Sequence, residues 1–142
     1  MVSGLLSQIT VRLINRVGSV AVEGPGYVPV EAYRRSLALL VEGKNLLIFP
    51  EDNLLPADPQ TGLHPFQCGF VGLCDMYKRI SGAELPIYPM AVHPRNHLIA
   101  VGKANYLVDG RNHRESVRAT CSRLRDEMAT LSLALEFGAI RV

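Results

Sequence analysis

Between Glu31 and Pro50 three signals follow one another without a gap, and they restrict the architecture more than any other stretch. Glu31–Glu42 carries Tyr33, Leu37, Leu40 and Val41 at helical spacing, with an acidic residue in the first turn, where the helix dipole favours negative charge. Gly43 follows, a residue that enters the left-handed conformation without a Cβ clash and so ends helices. Lys44 and Asn45 then lead into Leu46–Phe49, apolar at every position and stopped by Pro50. A short strand that is apolar on both sides suits a sheet covered by helices. The segment predicts an α/β protein whose long loop, Pro50–Pro65, lies beyond a strand end, where such folds keep their sites.

The flanking segments extend this pattern. Leu5, Leu6, Ile9, Leu13 and Val17 share one helical face, and Gly18 stops that helix. Ser19–Glu23 reads as a short strand with Val20 and Val22 on one side, and Gly24-Pro25-Gly26 as a turn. Phe66–Lys78 predicts a helix with Phe66, Phe70, Leu73, Cys74 and Tyr77 inward; Gly69 and Gly72 weaken it but permit close packing. After a turn at Ser81–Gly82, Leu85–Val92 reads as a central strand entered through Pro86. Pro89 removes a ladder donor there and marks a bulge or the strand's functional end. His93–Asn96 is a turn, and Leu98–Val101 and Tyr106–Val108 are short strands. Arg114–Glu136 is the longest helix, with Val117, Cys121, Leu124, Met128, Leu131 and Leu135 as its stripe. The expectation is one α/β domain over residues 1–142, a mixed sheet flanked by helices.

Composition narrows the function classes. Hydrophobic residues are 48% and charged residues 20%, which argues against a disordered tail. A formal net charge of +2 gives no reason to expect nucleic acid, and 6% aromatics without Trp offer no base-stacking platform. No apolar run reaches spanning length, and Met1–Ala21 is a poor signal peptide because Arg12 and Arg16 come late. A soluble or peripheral chain is expected. Arg114, Arg118, Arg123 and Arg125 read as a solvated helix face or as a face resting on anionic lipid or an acidic partner.

Cys68, Cys74 and Cys121 form an odd set without CxxC, so neither a disulfide scaffold nor a cysteine-rich zinc site is expected. Cys74 and Cys121 fall on buried faces and read as core. His64, His93, His97 and His113 are scattered without HExxH, so no metal site is expected. The best site candidate is Phe49-Pro50-Glu51-Asp52-Asn53, at the strand's end. Asn53 can bind a phosphate or hydroxyl oxygen, and His64 or His93 could pair with Glu51 to activate a hydroxyl. The plain alternative is a turn shaped by Pro50 and Asp52, with Glu51 exposed.

Leu46-Leu47-Ile48-Phe49-Pro50-Glu51 resembles the third conserved block of the glycerolipid acyltransferases, the PlsC-like 1-acylglycerol-3-phosphate acyltransferase family. Leu85–Val92, with Pro89, looks like the fourth block. Phe66-Gln67-Cys68-Gly69 is similar to the intervening Phe-Lys-x-Gly, Gly102-Lys103 to the turn that follows, and Arg16–Val22 to the approach to the second block. The likeness covers roughly residues 10–125 in the right order. It implies transfer of a fatty acyl group from acyl-CoA or acyl-ACP to a glycerol-phosphate hydroxyl, with those carriers as co-substrates and no permanently bound cofactor. It also implies substrate-binding roles for Glu51, Asp52, Asn53 and Gln67. The implied setting is cytoplasmic, with a peripheral place at the cytoplasmic membrane face.

Several departures qualify the likeness. The family's acid–base pair is His-x4-Asp, and here the corresponding positions hold Gly69, Leu98, Gly102 and Arg118. In the family that motif precedes the second block, so the chain is expected to be a shortened, C-terminal part that works with a missing N-terminal half or a partner chain. The third block has Asp52 for Gly and Leu54 for Arg, the second ends in Glu23 for Arg, and Gln67 replaces Lys. Phosphate prefers Arg, Lys or amide donors to carboxylates. No catalytic residue is assigned, and the chain alone is expected to be inactive. The alternatives are a non-catalytic lipid-binding or partner-binding module, or an unrelated α/β enzyme using Glu51 with His64 or His93.

Overall fold

The computed structural model of the protein describes residues 30–93 and 97–137. The expected Leu5–Val17 helix, Ser19–Glu23 strand and Gly24–Gly26 turn lie outside the described residues, as does the Arg16–Glu23 segment. Among the described residues, three α-helices and a two-stranded antiparallel sheet make the chain mixed α/β.

Helix α1 spans Val30–Val41. It ends as its sequence predicts, with Gly43 at φ +77°. The Gly43 amide donates to the Leu40 carbonyl (3.0 Å) and the Lys44 amide to that of Leu39 (2.9 Å), the paired bonds that satisfy orphan carbonyls at a helix end. Ala32 and Leu40 are its buried residues.

Leu46–Phe49 departs from expectation. It forms no strand, and Leu47 and Phe49 are 70% and 84% exposed. A strand exists only against a neighbour, and among the described residues this segment has none. Pairing begins just past it, in a single antiparallel bridge between Glu51 and Phe66.

The expected Phe66–Lys78 helix is a 3-10 helix, Cys68–Val71, running into helix α2, Gly72–Ser81. The tighter first turn changes the phase of the buried face. Val71, outside the expected stripe, is completely buried, while Leu73 and Cys74 bury as expected. Gly72 is the close-packing glycine: a Cβ there would lie 2.7 Å from the Tyr33 hydroxyl. That contact seats α1 on α2. Gly82, at φ +73°, ends α2.

Strands β1, Met90–His93, and β2, Leu98–Val101, pair with Ala91 opposite Ala100 and His93 opposite Leu98. Ala91, His93 and Ala100 are buried, whereas Val92, Ile99 and Val101 on the other face are exposed. Pro89 interrupts the ladder as expected. Ile87 bridges Asn105, so two residues, Tyr88 and Pro89, face three, Gly102, Lys103 and Ala104. The extra residue is a bulge on the β2 side. A Cβ on Gly102 would lie 2.7 Å from Pro89 Cγ, so the bulge also needs a glycine. Tyr106–Val108 is not a strand, because the helix His113–Glu136 takes its backbone bonds. Val108 N–H donates to Thr120 Oγ1, and Arg123 donates to the Tyr106 carbonyl.

Helix α3, His113–Glu136, is one residue longer than expected at its start. Asn112 Oδ1 accepts from the Glu115 amide (2.9 Å), and Glu115 Oε2 reaches back to the Arg111 amide (3.0 Å). These bonds satisfy donors at the helix start. The stripe is inward, but Ser116 and Thr120 are buried with it. Their hydroxyls donate to the carbonyls of Asn112 and Ser116, which makes burial tolerable.

α3 organises two cores. Near its middle, Cys121 and Leu124 meet Val71, with Phe66, Phe70, Ile87 and Leu107 around them. Near its end, Leu135 and Leu131 meet Ala91, Ala100 and Leu98 of the sheet. Among the described residues the sheet is thus antiparallel and covered by a helix on one face, where a mixed sheet is expected. The cysteines differ from expectation in one respect, since a disulfide is present where no disulfide scaffold is expected. Cys68 and Cys121 form a disulfide with Cα atoms 5.7 Å apart, and Cys74 remains free and buried.

Candidate functional site

The loop after Pro50 closes on itself. The Asp52 amide donates to the Pro65 carbonyl and the Gln67 amide to that of Pro50, both at 2.8 Å. Glu51 and Phe66 thereby become a directly opposed pair, with side chains on one face. Glu51 Oε2 accepts the His64 amide at 2.8 Å. Asp52 Oδ1 accepts the Leu54 amide at 3.1 Å, the turn-forming bond that Asp residues favour. Asp58 Oδ1 accepts the amides of Gln60 and Thr61, and its carboxylate lies 3.8 Å from Arg125. Those two amides, and then the Thr61 hydroxyl and Arg125, hold the Asp58 carboxyl below its ordinary range.

Of the expected substrate-binding residues, the fold brings Glu51, Asp52 and Gln67 to the neck of this loop. Asn53 and Gln67 are exposed. Glu51 is half-buried and serves the backbone, so the plain turn reading is correct for Asp52 and incorrect in leaving Glu51 exposed. Glu51→Ala strands the His64 amide and should cost about 1–2 kcal/mol, whereas Glu51→Gln keeps an oxygen and should cost far less, as read by urea unfolding.

His64 reaches Glu51 through its amide, not its ring. The ring Nδ1 lies 2.6 Å from the Leu55 carbonyl, which can only accept, so Nδ1 donates there. His93 is buried in β1, with Nε2 3.4 Å from Glu136 Oε2. It belongs to the contact between sheet and α3. No Lys or Arg occurs between Lys44 and Lys78, and the cation that meets a loop carboxylate, Arg125 on Asp58, comes from α3.

Sequence reasoning missed a second constellation. Asp75 Oδ2 accepts from Arg79 (2.9 Å) and lies 3.0 Å from His113 Nδ1. These residues border an open cleft of about 450 Å³ between α2 and the start of α3, with Lys78, Asp109 and Ser116. The Asp75–Arg79 spacing is visible in the sequence, but nothing in it announces His113 from 38 positions away. A second open groove, of about 560 Å³, is bordered by Asn112, Arg114, Glu115 and Arg118. Among the described residues there is no group of three or more His, Cys, Asp or Glu placed to hold a metal, and no helix long and apolar enough to cross a membrane.

No protein-family model, no curated protein and no solved structure matches the chain.

Proposed function

We propose that this is an acyltransferase-family protein of the PlsC-like kind, and that residues 46–92 supply acceptor-side segments rather than the acid–base pair. The observation that supports it is the Glu51–Phe66 bridge. It sets Phe49-Pro50-Glu51-Asp52-Asn53 beside Phe66-Gln67-Cys68-Gly69, the two segments whose wording is nearest to the family's. On this reading Asn53 and Gln67 offer exposed amide groups to the acceptor. Glu51 shapes the neck, and the acyl group arrives on coenzyme A or acyl carrier protein. General-base removal of the acceptor's proton falls to a His-x4-Asp that these 142 residues do not contain. Arg114 and Arg118, exposed on α3, would meet anionic lipid, whereas Arg123 and Arg125 are tied to Tyr106 and Asp58.

The carboxylates at the neck favour an acceptor without phosphate. Asp52→Asn keeps the oxygen that accepts the Leu54 amide and removes one negative charge. It should tighten lysophosphatidate relative to an uncharged monoacylglycerol on the order of fivefold, read by calorimetric titration. Equal changes for both ligands, or binding of neither, would remove the acceptor role from this loop. The second reading, a non-catalytic lipid-binding or partner-binding module, is supported by the commitment of Glu51 and Asp52 to backbone amides.

A further inference from the structure

Cys68 directly follows Gln67, whose amide makes one of the two ladder bonds at the loop neck. Its disulfide reaches Cys121 in the middle of α3, 53 positions away. Besides the disulfide, the neck meets α3 through Phe66, half-buried against the cluster that holds Cys121 and Leu124, and the loop through the 3.8 Å Asp58–Arg125 pair at the surface, a weak kind of contact. By contrast, α3 holds the sheet through Ala91, Ala100, Leu131 and Leu135, and α1 rests on α2 through Tyr33 and Gly72. Neither of those contacts involves the disulfide.

We propose that Cys68–Cys121 is a reversible redox latch for the Glu51–Gln67 loop. Oxidised, it clamps the loop neck to α3. Reduced, it frees the neck while the sheet, α3 and the α1–α2 pair stay packed. The latch stands or falls independently of what the loop binds. Cys121 is 3% exposed and Cys68 is half-buried, so an external thiolate attacks Cys68 Sγ. The reductant is a low-molecular-weight thiol such as glutathione. Its sulfur bonds to Cys68 Sγ as the Cys68–Cys121 bond breaks, and Cys121 leaves as a thiolate and takes a proton. A second thiolate then attacks the outer sulfur of the mixed disulfide and releases Cys68. Two electrons pass from two thiols to the protein, and the small disulfide is the oxidised product. The released Cys68 thiol has the Phe66 carbonyl, 3.6 Å away, as an acceptor.

The test is native-state hydrogen exchange on the full chain in oxidised and in reduced glutathione. Thiols are counted by alkylation in denaturant: one per chain when the bond is closed and three when it is open. On reduction the amides of Asp52, His64 and Gln67 should speed up about tenfold or more beyond the Gly102 amide, bonded to Pro89, which follows only the global loss of stability. Reoxidation should restore the slow rates. Cys68→Ser should show fast loop exchange in both buffers, and Cys74→Ser should behave as the unaltered chain. Unchanged loop amides would overturn the latch. So would a uniform acceleration of every amide, which would make the bond a staple of the whole fold. The unaltered chain alone decides between these results, whether or not either variant folds.

Discussion

Reduction of the Cys68–Cys121 bond is expected to lower the unfolding free energy of the chain by about 4 kcal/mol. The size follows from the 53-residue separation between the two cysteines. A closed loop of that length removes conformations from the unfolded chain, and opening it gives them back. This term acts through the unfolded state and is distinct from local loosening of the loop, which acts through the native one. Domains of this size have stabilities of roughly 5–15 kcal/mol, so a folded reduced form is expected. Urea unfolding with and without reductant measures the difference. A change below about 1 kcal/mol would mean that the unfolded chain gains little from the cut.

Leu124→Ala is expected to cost about 3 kcal/mol. Leu124 is 2% exposed and packs with Val71 and Cys121 in the core beneath the 3-10 helix. Truncation removes buried methyl groups and leaves a cavity whose walls include the fully buried Val71 and the disulfide-bonded Cys121. The site therefore has little freedom to collapse. Because Leu124 and Cys121 share one cluster, the mutation and the reduction should not add. The oxidised and reduced forms of Leu124→Ala should differ by an amount unlike the roughly 4 kcal/mol expected of the unaltered chain. Urea unfolding of both forms closes that cycle. Strict additivity would separate the disulfide from the core it sits in.

Local signals are legible wherever a residue's own chemistry decides the structure. Gly43 ends α1, Pro89 breaks the β1 ladder, and the stripe from Val117 to Leu135 faces inward. Gly72 packs under Tyr33, as a glycine in an otherwise helical run suggests. What is not legible depends on distant partners. The Leu46–Phe49 segment has a strand's sequence, but its state is set by a neighbour that the described residues do not provide. The Cys68–Cys121 and Asp75–His113 contacts join residues 53 and 38 positions apart, and no local pattern encodes them. Thr120 escapes sequence reasoning for another reason. Its polarity argues for exposure, yet its hydroxyl is satisfied by the Ser116 carbonyl and the Val108 amide. At the loop, the residues expected to bind substrate divide in two: Glu51 and Asp52 hold backbone amides, and Asn53 and Gln67 are exposed.

The proposed function turns on whether these residues belong to an acyltransferase that takes its base from elsewhere. The direct measurement is acyl transfer from long-chain acyl-CoA and acyl-ACP to glycerol-3-phosphate, lysophosphatidate and neutral alcohols. It would compare the 142-residue chain with the longest in-frame product of its gene. The proposal predicts no transfer by the 142-residue chain and transfer by a product that carries His-x4-Asp. Transfer at an enzyme-like rate by the 142 residues alone, or none by such a longer product, would contradict it.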